Sequence, residues 1–160
     1  DVTERADVGY RTYFRHYAGL DELLIHVGES RLDEIYDLLD LPATETVLED
    51  LVLHFQRIGM QLFQHIQENQ TEFRFLLLDN SLRFLLDPVM KRACERAQEK
   101  LRFLPQKNIT SALAANHIIA SVFSLMRWWF ENDMPYSSER MGEIFTNLIV
   151  QPTWLVMLEE

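Results

Sequence analysis

Two arginines and a histidine cluster near the start of the chain, among aromatic and hydroxyl side chains. Arg11 and Arg15 are four residues apart, so they share one face if this segment is helical. Arginine binds phosphates and guanine edges, and hydroxyl or imidazole groups reach either. A solvated helix face with no partner is the alternative interpretation. The candidate DNA-contacting residues are Tyr10, Arg11, Thr12, Tyr13, Arg15 and His16.

The other reactive side chains do not form a recognisable catalytic or metal-binding pattern. His54 and His65 are eleven residues apart, which separates them by about 16 Å along a helix, too far for one metal ion. Cys94 has no histidine near it in sequence. No Ser-His-Asp motif, Gly-rich phosphate loop or pair of catalytic carboxylates is visible. The sequence therefore predicts no enzyme, no metal and no cofactor.

Length and composition favour one packed domain, or one domain with a small appendage. The chain has 160 residues, of which 48% are apolar and 25% are charged. A single cysteine and the lack of a basic-then-apolar leader favour the cytoplasm. No uncharged apolar run reaches the length of about 18 residues that a membrane span requires, so no membrane partner is expected.

The charge is distributed unevenly between the start of the chain and the rest. Residues 1–17 carry three acidic and three basic side chains, so the net charge of −10 belongs to the remainder. An acidic body argues against nonspecific nucleic-acid binding, because affinity for phosphate comes from lysine and arginine. This asymmetry suggests that the two parts have different functions.

Hydrophobic spacing is helical almost throughout, which predicts an all-α fold. A capping box, Thr46 with Glu49, precedes an apolar spacing that predicts a helix of about five turns. Asp87-Pro88 predicts the start of a later helix, and Pro152 predicts a bend or an end in the last one. The predicted helices lie at 10–17, 20–39, 48–66, within 71–86, 87–104, 110–131 and after Ser137.

The helix predicted over 110–131 is apolar on nearly every face, without a charged residue from Ser111 to Met126. A helix of this kind must be covered on all sides. The apolar tail Trp154 to Met157 also needs cover. We therefore expect a homodimer whose last two helices pair with their copies. The predicted interface residues are Ile119, Phe123, Met126, Phe130, Met141, Ile144, Phe145 and Leu148.

A helix, a turn at 7–9 and a second helix from Tyr10 give the geometry that places a helix in the DNA major groove. Here the sequence resembles the DNA-binding end of the TetR family of bacterial regulators. A second, weaker resemblance is to the link between the last two helices of many members. The matching residues are Glu4-Arg5-Ala6, Val8, Thr12 to Tyr17 and Asp21 to Leu24, then Trp128-Trp129, Asn132, Met134 to Ser137 and Met141.

The resemblance implies a partial helix-turn-helix domain at 1–24, without the family's first helix, and a helical ligand-binding and dimerisation domain at 25–160. It places Thr12, Arg15 and His16 where the family contacts phosphates and bases. Four positions depart from the family pattern: Gly9 stands where a serine cap is common, Arg11 where a small residue is common, and two others lose a phosphate contact. Phe14 stands where a phosphate-binding tyrosine is common, and Leu20 where a phosphate-binding lysine is common.

Aromatic, methionine and small residues in the middle helices could surround a mainly apolar molecule, although most could equally be core. Candidate polar anchors are His54, Gln61, Asn80, His117 and Ser121. The predicted ligand-binding residues are Phe55, Gly59, Met60, Phe63, Phe73, Leu77, Phe84, Met90, His117, Ser121 and Trp128.

Together these features predict a ligand-responsive bacterial transcriptional regulator, most simply a repressor. As a homodimer it would bind a two-fold double-stranded DNA operator, and a small, mainly apolar effector would release it. The alternative is a helical dimerisation or sensor module that no longer binds DNA.

Overall fold

The computed structural model describes residues 5–7, 9–38 and 48–158, and this part of the chain is helical. The predicted capping residue Thr46 lies outside these residues, as do Val8 and Leu39. The α-helices are α1 Tyr10–His16, α2 Leu20–Leu38, α3 Leu48–Glu68, α4 Gln70–Leu78, α5 Arg83–Leu101, α6 Ser111–Glu131, α7 Ser138–Phe145 and α8 Gln151–Leu158.

Local capping signals agree with the structure at several helix ends. The Thr110 hydroxyl accepts a hydrogen bond from the Leu113 N–H at the start of α6, and the Ser137 hydroxyl accepts one from Arg140 N–H at the start of α7. Glu139 follows in the first turn of α7, where a negative charge faces the positive helix end. The all-α prediction is confirmed.

The helix start predicted at Asp87-Pro88 is wrong. Helix α5 begins at Arg83, directly after a 3₁₀ turn over Asn80–Leu82, and Pro88 lies inside it. The side chain of Asp79 accepts from Ser81 N–H and so caps the 3₁₀ turn, whose last residue, Leu82, is the N-cap of α5. Pro88 removes only the bond to the carbonyl of Phe84, whose residue is exposed to water.

Pro152 does not end the last helix. A π-helical turn over Thr146–Val150 joins α7 to α8, so helical structure continues through the proline to Leu158. Proline cannot donate to a carbonyl one turn earlier, and π turns are a known local adjustment within helices. We call the stretch from Ser138 to Leu158 the terminal segment.

Two glycines let α3 and α7 cross with their backbones in contact. A Cβ atom on Gly142 would lie 2.5 Å from the Met60 nitrogen, and one on Gly59 would lie 2.9 Å from Gly142 Cα. Beside this crossing, the buried rings of Phe63 and Trp129 meet edge to face at 5.4 Å. This contact joins α3, α6 and the terminal segment into one core.

Helix α2 is fixed to α5 by a hydrogen bond and by ion pairs. The Tyr36 hydroxyl donates to the Ala93 carbonyl at 2.9 Å. The Asp33 carboxylate is 2.9 Å from Arg92 Nη2 and 3.2 Å from Arg96 Nε. The hydrogen bond and charge of Arg92 hold the Asp33 pKa below its usual range, so this carboxyl stays ionised.

Candidate ligand cavity and DNA-contacting helix

A cavity of about 430 Å³ lies among the middle helices. It falls within the range of about 300–1,000 Å³ typical of small-molecule sites. Its walls come from α2 to α6 and the terminal segment, and most of the side chains are aliphatic or aromatic. The charged side chains at its edge are those of Arg31, Glu72 and Lys100. The interior therefore favours an uncharged, mainly apolar occupant.

The uncharged polar side chains of the wall differ in how far their hydrogen bonds are satisfied. Thr153 donates its hydroxyl proton to the Ile149 carbonyl. The Tyr36 hydroxyl donates to Ala93, and burial raises the pKa of Tyr36 well above its usual range, so this donor stays protonated. Trp154 Nε1 is buried and has no hydrogen-bond partner among the described residues.

Three of the eleven predicted ligand-binding residues line this cavity: Phe55, Phe73 and Leu77. Gly59 and Phe63 instead belong to the packed core, and Met60 lies at the crossing of α3 and α7. The other five lie on other surfaces of the middle helices and are Phe84, Met90, His117, Ser121 and Trp128.

The predicted polar anchors also lie away from the cavity wall. His54 Nδ1 is 2.9 Å from an Arg57 nitrogen, and Gln61, Asn80 and His117 are exposed. Sequence spacing shows which residues share a helix face, but it does not show which element packs against that face. It therefore could not separate these residues from those that line the cavity.

Helix α2 contributes wall residues that sequence reasoning missed. Their helical spacing indicates that they share one face of α2, but the sequence does not indicate which element packs against that face. Gly28 lies among them, and a Cβ atom there would be 3.0 Å from a methyl carbon of Val89 on α5. The α2 wall residues are Leu24, Val27, Gly28, Arg31, Leu32, Ile35 and Tyr36.

Trp154 was expected only as part of an apolar tail that a partner covers. No local signal in the sequence placed it in the cavity wall, because that position depends on helices distant in the chain. The Trp154 ring packs edge to face on Phe55, with centroids 5.2 Å apart.

Helix α1 presents its predicted DNA-contacting residues to solvent. Its described residues include none that is buried, and Tyr13 is only partly exposed while the other five are exposed. Gly9 precedes the helix without a side-chain cap, and basic residues occupy the last turn. The six side chains are Tyr10, Arg11, Thr12, Tyr13, Arg15 and His16.

A short connection joins α1 to α2. The rings of Tyr17 and His26 meet at 5.7 Å, and Glu22 accepts a hydrogen bond from the Ala18 N–H before α2 begins at Leu20. Helix α2, to which α1 is joined, is therefore also one wall of the cavity.

Most residues predicted for a dimer interface are covered by their own chain. Ile119, Met126 and Phe145 line the cavity, and Phe130 and Met141 are buried. Phe123 and Ile144 are partly buried, while Leu148 is 68% exposed. The fold itself therefore provides much of the cover that the apolar pattern of α6 requires.

Within residues 5–7, 9–38 and 48–158, no three His, Cys, Asp or Glu side chains are grouped so as to bind a metal ion. No helix in the same ranges is long and apolar enough to span a membrane.

The described chain forms a helical domain around an apolar cavity, preceded by a short helix whose last turn carries basic residues. The family model that matches residues 54–151 is described as a transcriptional regulator C-terminal region, of the TetR type. This match covers more than half of the chain, which therefore belongs to the TetR family of transcriptional regulators. No curated protein and no solved structure matches it.

Proposed function

We propose that this protein is a ligand-responsive bacterial repressor that acts in the cytoplasm as a homodimer. Its two α1 helices bind adjacent major grooves of a two-fold operator, about 34 Å apart. A small, mainly apolar effector binds the cavity and releases the DNA. It carries out no catalysis. One observation carries the proposal: α2 forms part of the cavity wall and also follows directly after the basic helix α1.

The contacts of α2 explain how a ligand would alter DNA binding. Tyr36 and Asp33 fix one part of α2 to α5, while Leu24 and Val27 reach the cavity nearer to α1. A ligand that pushes on this nearer part would tilt α2 about its attachment and displace α1. Affinity for ligand and affinity for operator would then oppose each other by the same factor.

The alternative, a sensor that no longer binds DNA, is favoured by Phe14 and Leu20. Both are about half exposed, at positions where the family resemblance implies polar contacts with phosphate. A gel shift with the full-length protein and the DNA upstream of its own gene separates the two proposals. Salt-sensitive, saturable binding supports the repressor. No binding to this DNA even at low salt would support the sensor that does not bind DNA.

Replacing Arg15 with alanine is expected to weaken operator binding by about 1–3 kcal/mol if this side chain contacts a base. Arg15 is exposed on α1, so folding should not change. Titrations of operator and of scrambled DNA would measure the effect. The matched control is Arg57→Ala, an exposed arginine on α3 far along the chain. An equal loss on both DNAs would assign Arg15 to a phosphate, and no loss on either would remove α1 from the proposal.

Replacing Val122 with phenylalanine is expected to weaken binding of an apolar probe, 2-isopropylnaphthalene, at least about tenfold. Val122 is buried on α6 and lines the cavity, so the larger ring would occupy space that the probe needs. Isothermal titration calorimetry measures the affinity, and circular dichroism checks the fold. Gln98→Phe adds the same ring on the exposed face of α5 and serves as the control. Equal affinities in both variants would place the probe outside this cavity.

A further inference from the structure

The indole N–H of Trp154 is the feature of the cavity that its apolar lining does not explain. Trp154 is 7% exposed and belongs to the cavity wall. Among the described residues of that wall, its Nε1 is the one buried side-chain donor without a hydrogen-bond partner. A buried donor left unpaired costs about 1–3 kcal/mol, so an occupant that accepts its proton gains an advantage.

The other indole groups of the chain give a contrast. Trp129 is fully buried and donates its Nε1 proton to the Tyr136 carbonyl at 3.1 Å. Trp128 is 43% exposed, so water can reach it. Only Trp154, among these three, combines a buried, unpartnered indole N–H with a place in the wall of the apolar cavity.

The surroundings of Trp154 hold its ring in place. Phe55 packs against its ring, and Val150 and Met157 are buried on the same terminal segment. The two other uncharged polar groups of the wall, on Tyr36 and Thr153, already donate to backbone carbonyls. A ligand acceptor would therefore find its available neutral donor at Trp154.

We propose that Trp154 Nε1 is the polar anchor of the cavity. It selects neutral, mainly apolar molecules that carry one hydrogen-bond acceptor, such as a ketone or ester carbonyl. The anchor rests on the proposed function, because it requires that the cavity binds a ligand. The charged wall residues Arg31, Glu72 and Lys100 are exposed or partly exposed. Trp154 is buried, so an ionised group at its indole N–H would lose its water without gaining an opposite charge there.

Two isosteric probes test the anchor. 2-Acetylnaphthalene has a carbonyl oxygen where 2-isopropylnaphthalene has a methyl group, so the two are similar in size and only the ketone has a hydrogen-bond acceptor. In the unaltered protein, the ratio of the two affinities serves as the reference, because it already includes the different costs of removing each probe from water. Trp154→Phe should shift that ratio about five- to tenfold toward the hydrocarbon. Trp128→Phe, the same change at the exposed indole, should leave the ratio unchanged.

Nuclear magnetic resonance of the unaltered protein gives a test that does not depend on how the variant folds. The chain has three indole N–H protons, one for each tryptophan. Hydrogen bonding to the ketone should move the Trp154 proton downfield, and the hydrocarbon should not, although both bring the same aromatic ring.

The outcomes separate this inference from the proposed function. If both probes bind and their affinity ratio is the same with and without the Trp154 indole, the cavity binds ligands but the anchor is refuted. If neither probe binds at concentrations up to their solubility, the ligand-binding function fails, and the anchor fails with it. A downfield shift at Trp129 or Trp128 alone would also overturn the assignment.

Discussion

Replacing Gly142 with alanine is expected to destabilise the protein by about 3 kcal/mol or more, although alanine is normally the better helix former by about 1 kcal/mol. The added Cβ atom would lie 2.5 Å from the Met60 nitrogen and 2.9 Å from the Gln56 carbonyl oxygen. Both are backbone atoms of α3, so no side-chain rotation can relieve the clash. The terminal segment must move away from α3.

The loss should appear in thermal unfolding followed by circular dichroism, as a decrease in Tm of roughly 6–12 °C. Gly19→Ala is the control, because a Cβ atom there would meet nothing within 4 Å. Gly59→Ala should resemble Gly142→Ala, since its Cβ would lie 2.7 Å from the Phe145 ring. A Gly142→Ala protein as stable as the original would disprove the close crossing of α3 and α7.

Replacing Leu148 with aspartate is expected to convert the proposed dimer into a monomer and so abolish operator binding. Leu148 is 68% exposed, and Pro152 and Val156 follow it at intervals of four residues on the same exposed stripe. Helix α6 packs along this segment and presents its own exposed stripe. We propose that these stripes pair between copies, and the α6 stripe consists of Leu113, His117, Ala120 and Ser124.

Light scattering should give about 38 kDa for the dimer, twice the chain mass of 19.0 kDa, and 19.0 kDa for Leu148→Asp. Leu53→Asp is the matched control, because Leu53 is a similarly exposed leucine on α3. Phe145→Asp is unsuitable, since this ring is buried against Phe63 and its loss would unfold the protomer. A dimer that survives Leu148→Asp would exclude this stripe as the interface.

The positions of the helices could be read from the sequence because their signals are local. Thr110 and Ser137 cap the helices that follow them, and hydroxyl oxygens satisfy N–H groups only a few residues away. Helix α1, with its exposed Arg11 and Arg15, was equally readable from the residues around it. The start predicted at Asp87-Pro88 was wrong because the 3₁₀ turn that Asp79 caps leads directly into α5 at Arg83.

The cavity was much less readable, because periodicity fixes the face of a helix and not the element that covers it. Phe55 and Phe63 are eight residues apart on α3, yet Phe55 lines the cavity while Phe63 packs on Trp129. On α6, the apolar residues Ile119 and Met126 are likewise buried within their own chain, where they line the cavity.

The sequence by itself therefore determined most of the helices, the caps at Thr110 and Ser137, the exposed basic helix and the family resemblance, all of which depend on residues close together in the chain. Only the tertiary structure decided that α2 forms a cavity wall and that the Trp154 N–H is left without a partner there. These features depend on how distant helices meet, and a pattern of apolar residues does not specify which neighbour will cover it.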